Sequence, residues 1–115
     1  MQILPVTHVF SGIAVRDFAS AKGWYEQLFG RPPDMLPHET EAVWNLVDGG
    51  LVYVVGDPER AGRGLVALAV EDFDRTLAGT QLRGLPPAAT EVMDSGSRKA
   101  TLTDPDGNQI ALIRP

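Results

Sequence analysis

The strongest constraint on this chain is an internal repeat. Residues 27–33 read Q-L-F-G-R-P-P and residues 81–87 read Q-L-R-G-L-P-P, so five of the seven positions are identical. At average residue usages, such agreement arises by chance on the order of once per million comparisons. The sequence therefore predicts two copies of one structural unit, over about residues 1–57 and 62–115. A pocket is then expected near an approximate two-fold axis between the copies.

Both copies predict the same order of elements. Each begins with a strand rich in Val, Ile and Leu, at 6–15 and 63–70, followed by an aspartate suited to N-capping a helix, Asp17 or Asp72. The helices are predicted over 18–29 and 73–82, and Gly30 and Gly84 end them. Three short strands follow in each copy, at 34–38, 42–48 and 51–56, and at 88–93, 98–103 and 108–113. The expected fold class is α+β, with two tandem βαβββ modules that form an open, cupped, mixed sheet.

Composition limits the functions that this chain can have. A chain of 115 residues is expected to form one domain, residues 1–115, in which the two copies share a core. Asp and Glu number 15 against 10 Lys and Arg, with no basic cluster, so nucleic acid and anionic membranes are poor partners. The absence of cysteine excludes disulfides, thiolate nucleophiles and cysteine metal sites. Residues 1–5 lack a signal-peptide pattern and no apolar run reaches membrane-spanning length, so a cytoplasmic protein is expected.

The chain resembles the vicinal oxygen chelate superfamily, which includes glyoxalase I, extradiol dioxygenases and bleomycin resistance proteins. The matching residues surround each predicted helix and form the last turn and strand: Val15, Asp17, Phe18, Trp24, Tyr25, Leu28 and Gly30, then Val70, Asp72, Phe73, Gly96, Arg98 and the run 104–112 (D-P-D-G-N-Q-I-A-L). The resemblance covers nearly the whole chain. It implies paired βαβββ modules that form a cup, and it implies dimers, because the family commonly completes its cups between chains.

The family's metalloenzymes hold a divalent metal at four symmetry-related positions, usually His, Glu or Gln. By the resemblance and the repeat, these positions correspond here to Phe10, Val54, Leu65 and Ala111. None of these side chains offers the nitrogen or oxygen donors that a divalent metal needs. The sequence therefore predicts no metal, no other cofactor and no catalytic residue, and enzymatic activity is left open.

The predicted function is instead the binding of a small hydrophobic or aromatic ligand within the cup. Strand alternation places His8 beside Phe10, and the same face is expected to carry Val52 and Val54, while Tyr53 is expected to face the helices. The candidate ligand-binding residues combine apolar walls with three polar groups: His8, Phe10, Trp44, Val54, Arg63, Leu65, Gln109 and Ala111. Trp44 is expected at the rim of the cup, and a homodimer is expected because an open sheet leaves apolar surface to cover.

Three other functions stay open at this stage. The first is a metalloenzyme of the glyoxalase or extradiol dioxygenase type with a displaced metal site. The second is a metal-free acid–base enzyme that uses His8 or Arg63. The third is a structural dimer module whose cup is filled by its own side chains. The identity of the ligand and the pairing of modules within or between chains cannot be read from the residues.

Overall fold

The computed structural model describes residues 3–115, and it contains two βαβββ modules in tandem. The elements of module one are β1 (Val9–Val15), α1 (Phe18–Phe29), β2 (Met35–His38), β3 (Glu41–Val47) and β4 (Gly50–Gly56). The elements of module two are β5 (Leu65–Ala69), α2 (Phe73–Leu82), β6 (Ala89–Val92), β7 (Arg98–Thr103) and β8 (Gln109–Arg114). The predicted helices are confirmed, and every predicted strand is present with small shifts of its ends.

Each module forms its own four-stranded mixed sheet. The strand orders are β1-β4-β3-β2 and β5-β8-β7-β6, so β1 and β5 occupy equivalent edges. In both sheets the first strand runs parallel to the last strand of its module, and the other neighbours are antiparallel. The α+β class and the βαβββ pattern are therefore confirmed, with the cupped surface divided between two sheets.

The two helices begin differently, although each is preceded by an aspartate. Asp17 caps α1, because its carboxylate accepts a hydrogen bond from the Ser20 backbone N–H at 3.2 Å. Asp72 has a positive φ of 48° and makes no side-chain capping bond to α2. The N-capping role predicted for Asp72 is therefore wrong, since its left-handed backbone does not present the carboxylate to the first turn.

The core lies between the helices and one face of each sheet. Its buried residues come from both modules and form one contiguous cluster: Ile13, Val15, Ala21, Tyr25, Leu28, Ala42, Trp44, Val52, Val54, Phe73, Leu85, Ala100, Leu102, Ile110 and Leu112. The opposite face of each sheet, here called the cup face, points away from the helices. No helix among residues 3–115 is long and apolar enough to cross a membrane.

Candidate functional site

The cup face of module two matches the sequence prediction. Leu65 pairs with Gln109, and Ala67 pairs with Ala111, so all four side chains project from the same face. Leu65 is 79% exposed at the free edge of the sheet, whereas Ala111 is buried deeper in it. Arg63 lies two residues before Leu65 and is exposed. Module two therefore presents an apolar surface with Gln109 and Arg63 at its border.

The cup face of module one begins with His8 and Phe10, as predicted. Phe10 is 58% exposed, and the rings of His8 and Phe10 are stacked with centroids 6.4 Å apart. The His8 Nδ1 atom lies 2.9 Å from the Thr7 hydroxyl. These two rings form a small aromatic surface at the edge strand β1, and the imidazole of His8 offers a ligand a polar contact there.

Val54 does not lie on the cup face, and this part of the sequence prediction is wrong. The parallel register pairs Val54 with Ile13 and pairs Tyr53 with Gly12. Ile13 faces α1, so Val54 faces α1 too and is completely buried. Since side chains alternate along a strand, an error of one residue in the register moves every side chain of β4 to the opposite face. Val52 is misplaced for the same reason.

Tyr53 is the residue that sequence reasoning missed. Tyr53 is the counterpart of Ala111 in the repeat, because the pairs Gly12–Tyr53 and Ala67–Ala111 occupy corresponding positions in the two sheets. A Cβ atom at Gly12 would lie 2.5 Å from the Tyr53 Cζ and Oη atoms, so the ring crosses β1 at this glycine. The glycine at position 12 thus allows Tyr53 to lie flat across the cup face.

Trp44 is also placed differently from the prediction. It is fully buried on the helix side of β3, where it packs against Tyr25 and Phe29 with ring centroids 6.4 and 5.2 Å away. Its indole N–H donates to the Arg31 carbonyl oxygen at 3.0 Å, which satisfies the only polar atom of the side chain. Trp44 therefore belongs to the core, and the expectation that it lines the rim is wrong.

The cup faces do not fit a divalent metal. With the register corrected, the four family positions are Phe10, Tyr53, Leu65 and Ala111, and they offer a single phenolic oxygen. Structural and catalytic metal sites need three or more nitrogen, oxygen or sulfur ligands at bonding distance. Among residues 3–115, no group of three or more His, Cys, Asp or Glu side chains could hold a metal ion.

The turn 104–108 joins the two modules. The Asp104 carboxylate accepts four hydrogen bonds, from the Asp106 and Asn108 backbone N–H groups, the Asn108 side-chain amide and the Tyr25 hydroxyl. The Asn108 amide also donates to the Ala14 carbonyl oxygen of β1 at 2.9 Å. We call the four residues Ala14, Tyr25, Asp104 and Asn108 the closed junction. The conspicuous D-P-D-G-N motif is therefore a structural link in this chain.

Because of the closed junction, we expect the free energy of unfolding to decrease at alkaline pH. Burial raises the pKa of Tyr25 well above its ordinary value of 10.0, and the nearby Asp104 charge raises it further. Because the folded protein favours the neutral phenol, this contribution is fully present below pH 10 and is lost as the pH rises above it. We expect the free energy of unfolding to fall by up to about 1.4 kcal/mol per pH unit above pH 10.

Urea unfolding between pH 8 and 11 measures this dependence. The variant Tyr25→Phe, which lacks the hydroxyl, is expected to be less stable at pH 8 but to lose less stability between pH 10 and 11. Equal slopes for the two proteins would contradict this role for Tyr25.

A cavity of about 810 Å³ lies between the modules, and we call it the wedge cavity. Its walls come from α1, α2 and both sheets, including the inner strands β3, β4 and β8, and none of the eight predicted ligand-binding residues lines it. The lining is mostly apolar: Val9, Ser11, Leu28, Phe29, Leu46, Val47, Gly50, Leu51, Val52, Ala67, Leu68, Ala69, Val70, Glu71, Thr76, Thr80, Arg83 and Leu112. At one side, Arg83 donates from its guanidinium to the carbonyl oxygens of Gln27 and Leu28 and so joins the C-terminal ends of the two helices.

Comparison with known proteins identifies the family. A solved glyoxalase/bleomycin resistance protein from Catenulispora acidiphila DSM 44928 is 46% identical to this chain, with a TM-score of 0.90 over 94% of this chain and 97% of that chain. The chain therefore belongs to the glyoxalase/bleomycin resistance proteins of the vicinal oxygen chelate superfamily. No protein-family profile and no curated protein sequence matches it.

Two more distant structures share the fold. A bleomycin-binding protein complexed with bleomycin is 21% identical, with a TM-score of 0.76 over 94% of this chain and 98% of that chain. A lactoylglutathione lyase from Agrobacterium tumefaciens is 15% identical, with a TM-score of 0.79 over 96% of this chain and 94% of that chain. One structure is a ligand-binding protein and the other is named as an enzyme, so likeness of fold does not decide between these functions.

Proposed function

We propose that this protein binds a small hydrophobic or aromatic molecule on its cup faces without a metal ion, as a cytoplasmic homodimer. The observation that carries the proposal is the chemistry of the four family metal positions. Three of them are hydrocarbon side chains and the fourth is Tyr53, so the cup is suited to apolar and stacking contacts. Apolar pockets with a few polar groups are the usual form of small-molecule sites.

The exposed side chains of the cup faces support this proposal. Phe10 and Leu65 are large apolar residues that stand more than half exposed on the edge strands of their sheets. An exposed aromatic ring provides a face on which a flat ligand can stack. His8, Arg63 and Gln109 lie at the borders of these apolar surfaces and offer the polar contacts that would orient the ligand.

The free edges support the homodimer. Strands β1 and β5 each end a sheet, and exposed sheet edges beside apolar side chains are normally covered by another chain or element. A second copy would cover Phe10 and Leu65 and would enclose the ligand. Light scattering across a concentration series is expected to give twice the monomer mass, and a strictly monomeric protein would contradict this part of the proposal.

Ligand binding is tested by thermal shift and equilibrium dialysis against a panel of flat aromatic compounds, hydrophobic antibiotics and bleomycin. The variant Phe10→Ala is expected to bind the best ligand about ten-fold more weakly, because it loses a stacking surface. The control is Leu82→Ala, which removes another exposed apolar side chain at the end of α2, away from both cup faces. Equal losses in both variants, or no binding across the panel, would contradict the proposal.

Metal analysis of the purified protein tests the proposal that ligand binding needs no metal ion. We expect substoichiometric zinc, nickel, manganese and iron, and unchanged ligand binding after treatment with a chelator. Near-stoichiometric metal that is lost together with ligand binding would favour a metalloenzyme instead.

A further inference from the structure

The wedge cavity is the open counterpart of the closed junction. The repeat relates Tyr25 to Thr80 and Ala14 to Ala69, and equivalent strand pairings relate Asn108 to Gly50. Asp104 corresponds by position along the strand to Leu46, which lies at the irregularity where Val47 takes over the pairing with Gly50. All four counterparts, Thr80, Ala69, Leu46 and Gly50, line the wedge cavity. One end of the two-module unit is therefore sealed by polar side chains, and the equivalent end is open because smaller or apolar residues stand there.

Compared with the closed junction, the open end has smaller side chains and fewer hydrogen bonds. Thr80 replaces a tyrosine ring, and its hydroxyl donates to the Leu77 carbonyl oxygen within its own helix. Gly50 has no side chain in place of the Asn108 amide, which at the closed end reaches across to β1. Nothing equivalent to the closed junction can therefore form, and the volume between the modules stays available.

The volume and the walls fit a small molecule. The cavity of about 810 Å³ lies within the usual range for ligand sites, roughly 300–1,000 Å³. Leucine and valine side chains from both modules, among them Leu28, Val52, Leu68 and Val70, provide the walls. Protein interiors are close-packed, and water is poorly held in a space with few polar partners. An apolar occupant would gain free energy by covering these side chains.

Charge at the cavity distinguishes between possible ligands. Glu71 lines the cavity, is exposed and forms no ion pair among residues 3–115. Asp72 follows it in sequence, and the net charge of the chain is -5. The one cation in the lining is Arg83, whose guanidinium already donates to two helix carbonyl oxygens. The charge that a ligand in the cavity can contact is therefore the negative charge of Glu71, which favours a ligand with a cationic group.

We infer that the wedge cavity is a second binding site for a small amphipathic molecule with an apolar chain or ring and a basic amine. It is distinct from the eight-residue site proposed on the cup faces, although Ala67 borders both. The apolar part lies against the leucine and valine walls, and the ammonium group lies at the Glu71 carboxylate. This site does not depend on the proposed function, because it shares none of the eight residues predicted for the cup.

Calorimetric titration with decylamine, decanol and decanoate tests the inference, with each probe kept below its micelle concentration. The expected order of affinity is decylamine, then decanol, then decanoate. The variant Glu71→Gln is expected to weaken decylamine binding about five- to ten-fold and to leave decanol binding unchanged, since a partly exposed ion pair contributes on the order of 1 kcal/mol. Decanoate binding as tightly as decylamine would overturn the assigned ligand class.

A pair of variants with the same new side chain locates the site. Thr80→Tyr restores the residue type of the closed junction and fills the cavity, so decylamine and decanol binding should fall at least ten-fold, to about the limit of detection. The matched control Leu82→Tyr places the same ring on the same helix, at an exposed position outside the cavity lining, and should leave both affinities unchanged. Far-ultraviolet circular dichroism and thermal melting check that each variant is folded, and Ser11→Phe, on the opposite wall, replaces Thr80→Tyr if that variant does not fold.

The outcomes separate this site from the cup. Loss of decylamine binding in Phe10→Ala but not in Thr80→Tyr would overturn the inference, since the probe would then bind the cup faces. No binding of any probe to the wild-type protein would also overturn it, as expected if a second copy of the chain covers the cavity. Neither result changes the aromatic ligand test with Phe10→Ala, so failure of the proposed function and failure of the second site are distinguishable.

Discussion

Replacing Asp104 with alanine is expected to lower the free energy of unfolding by about 3–5 kcal/mol, the cost of breaking a buried network that contains a charged group. Asp104 is only 4% exposed, and its carboxylate accepts hydrogen bonds from four donors, one of them the hydroxyl of Tyr25 in the other module. Its removal leaves the Tyr25 hydroxyl without its acceptor, and it leaves the Asn108 amide with only the Ala14 carbonyl oxygen. Thermal unfolding should shift down by about 10 °C or more.

The control for this experiment is Asp94→Ala, which removes an exposed carboxylate from the turn between β6 and β7. It should change the unfolding free energy by less than about 0.5 kcal/mol, as is usual for surface substitutions. Asp104→Ala unfolding at the same temperature as Asp94→Ala would show that the closed junction contributes little to stability.

Introducing glutamate at Val54 is expected to unfold much of the protein at neutral pH, whereas glutamate at Tyr53 is expected to be tolerated. Val54 is completely buried against α1, and an unpaired buried carboxylate costs about 3–5 kcal/mol, a large part of the stability of a small domain. Tyr53 lies on the cup face, so Tyr53→Glu loses ring packing over Gly12 but keeps its charge in water. Circular dichroism and urea unfolding measure the difference.

Acid provides a second readout for this pair. Protonation neutralises the buried carboxyl group, so Val54→Glu should regain stability as the pH falls from 7 towards 5, while Tyr53→Glu should show no such gain. The opposite ranking at pH 7 would mean that the sheet register places Val54 on the cup face after all.

The order and type of the elements could be predicted from the sequence because local signals were strong. Apolar stripes, Asp17 and the glycine stops mark the helices, and the repeat allowed each module to support the other. These signals are local in the chain, and the structure confirms them. The N-cap of α2 failed because Asp72 adopts a left-handed backbone, which is a property of the connection and not of the residue type.

The faces of β4 could not be predicted, and the reason is physical. Residues 51–55 read L-V-Y-V-V, so no alternation of polar and apolar residues indicates which side faces the core. If the two copies are aligned so that Gly50 matches Gly107, Val54 matches Ala111, which is one residue out of register with the structure. In the structure, Gly49 is the residue of module one that corresponds to Gly107 of module two. Both have a positive φ, 76° and 99°, at equivalent places in their turns. An alignment of the two copies that matches Gly49 with Gly107 also matches Tyr53 with Ala111.

The position of Trp44 depends on the same register. An aromatic residue near a predicted rim is equally compatible with ligand contact and with core packing, and alternation alone decides between them. Once Val52 is assigned to the core, its partner Trp44 follows it, because paired residues of adjacent strands share a face. The repeat predicts a pocket between the modules, but it does not show which of the two equivalent ends stays open, because that depends on the side chains that meet there and no local pattern encodes their meeting.

The hydrogen bonds of the closed junction lie at one end of the boundary between the modules. Rotation about this end would change the angle between the two sheets while leaving the hydrogen bonds within each sheet intact. We therefore expect a ligand bound in the cup or in the wedge cavity to change the angle between the two sheets slightly, and so to change the shape of the other region.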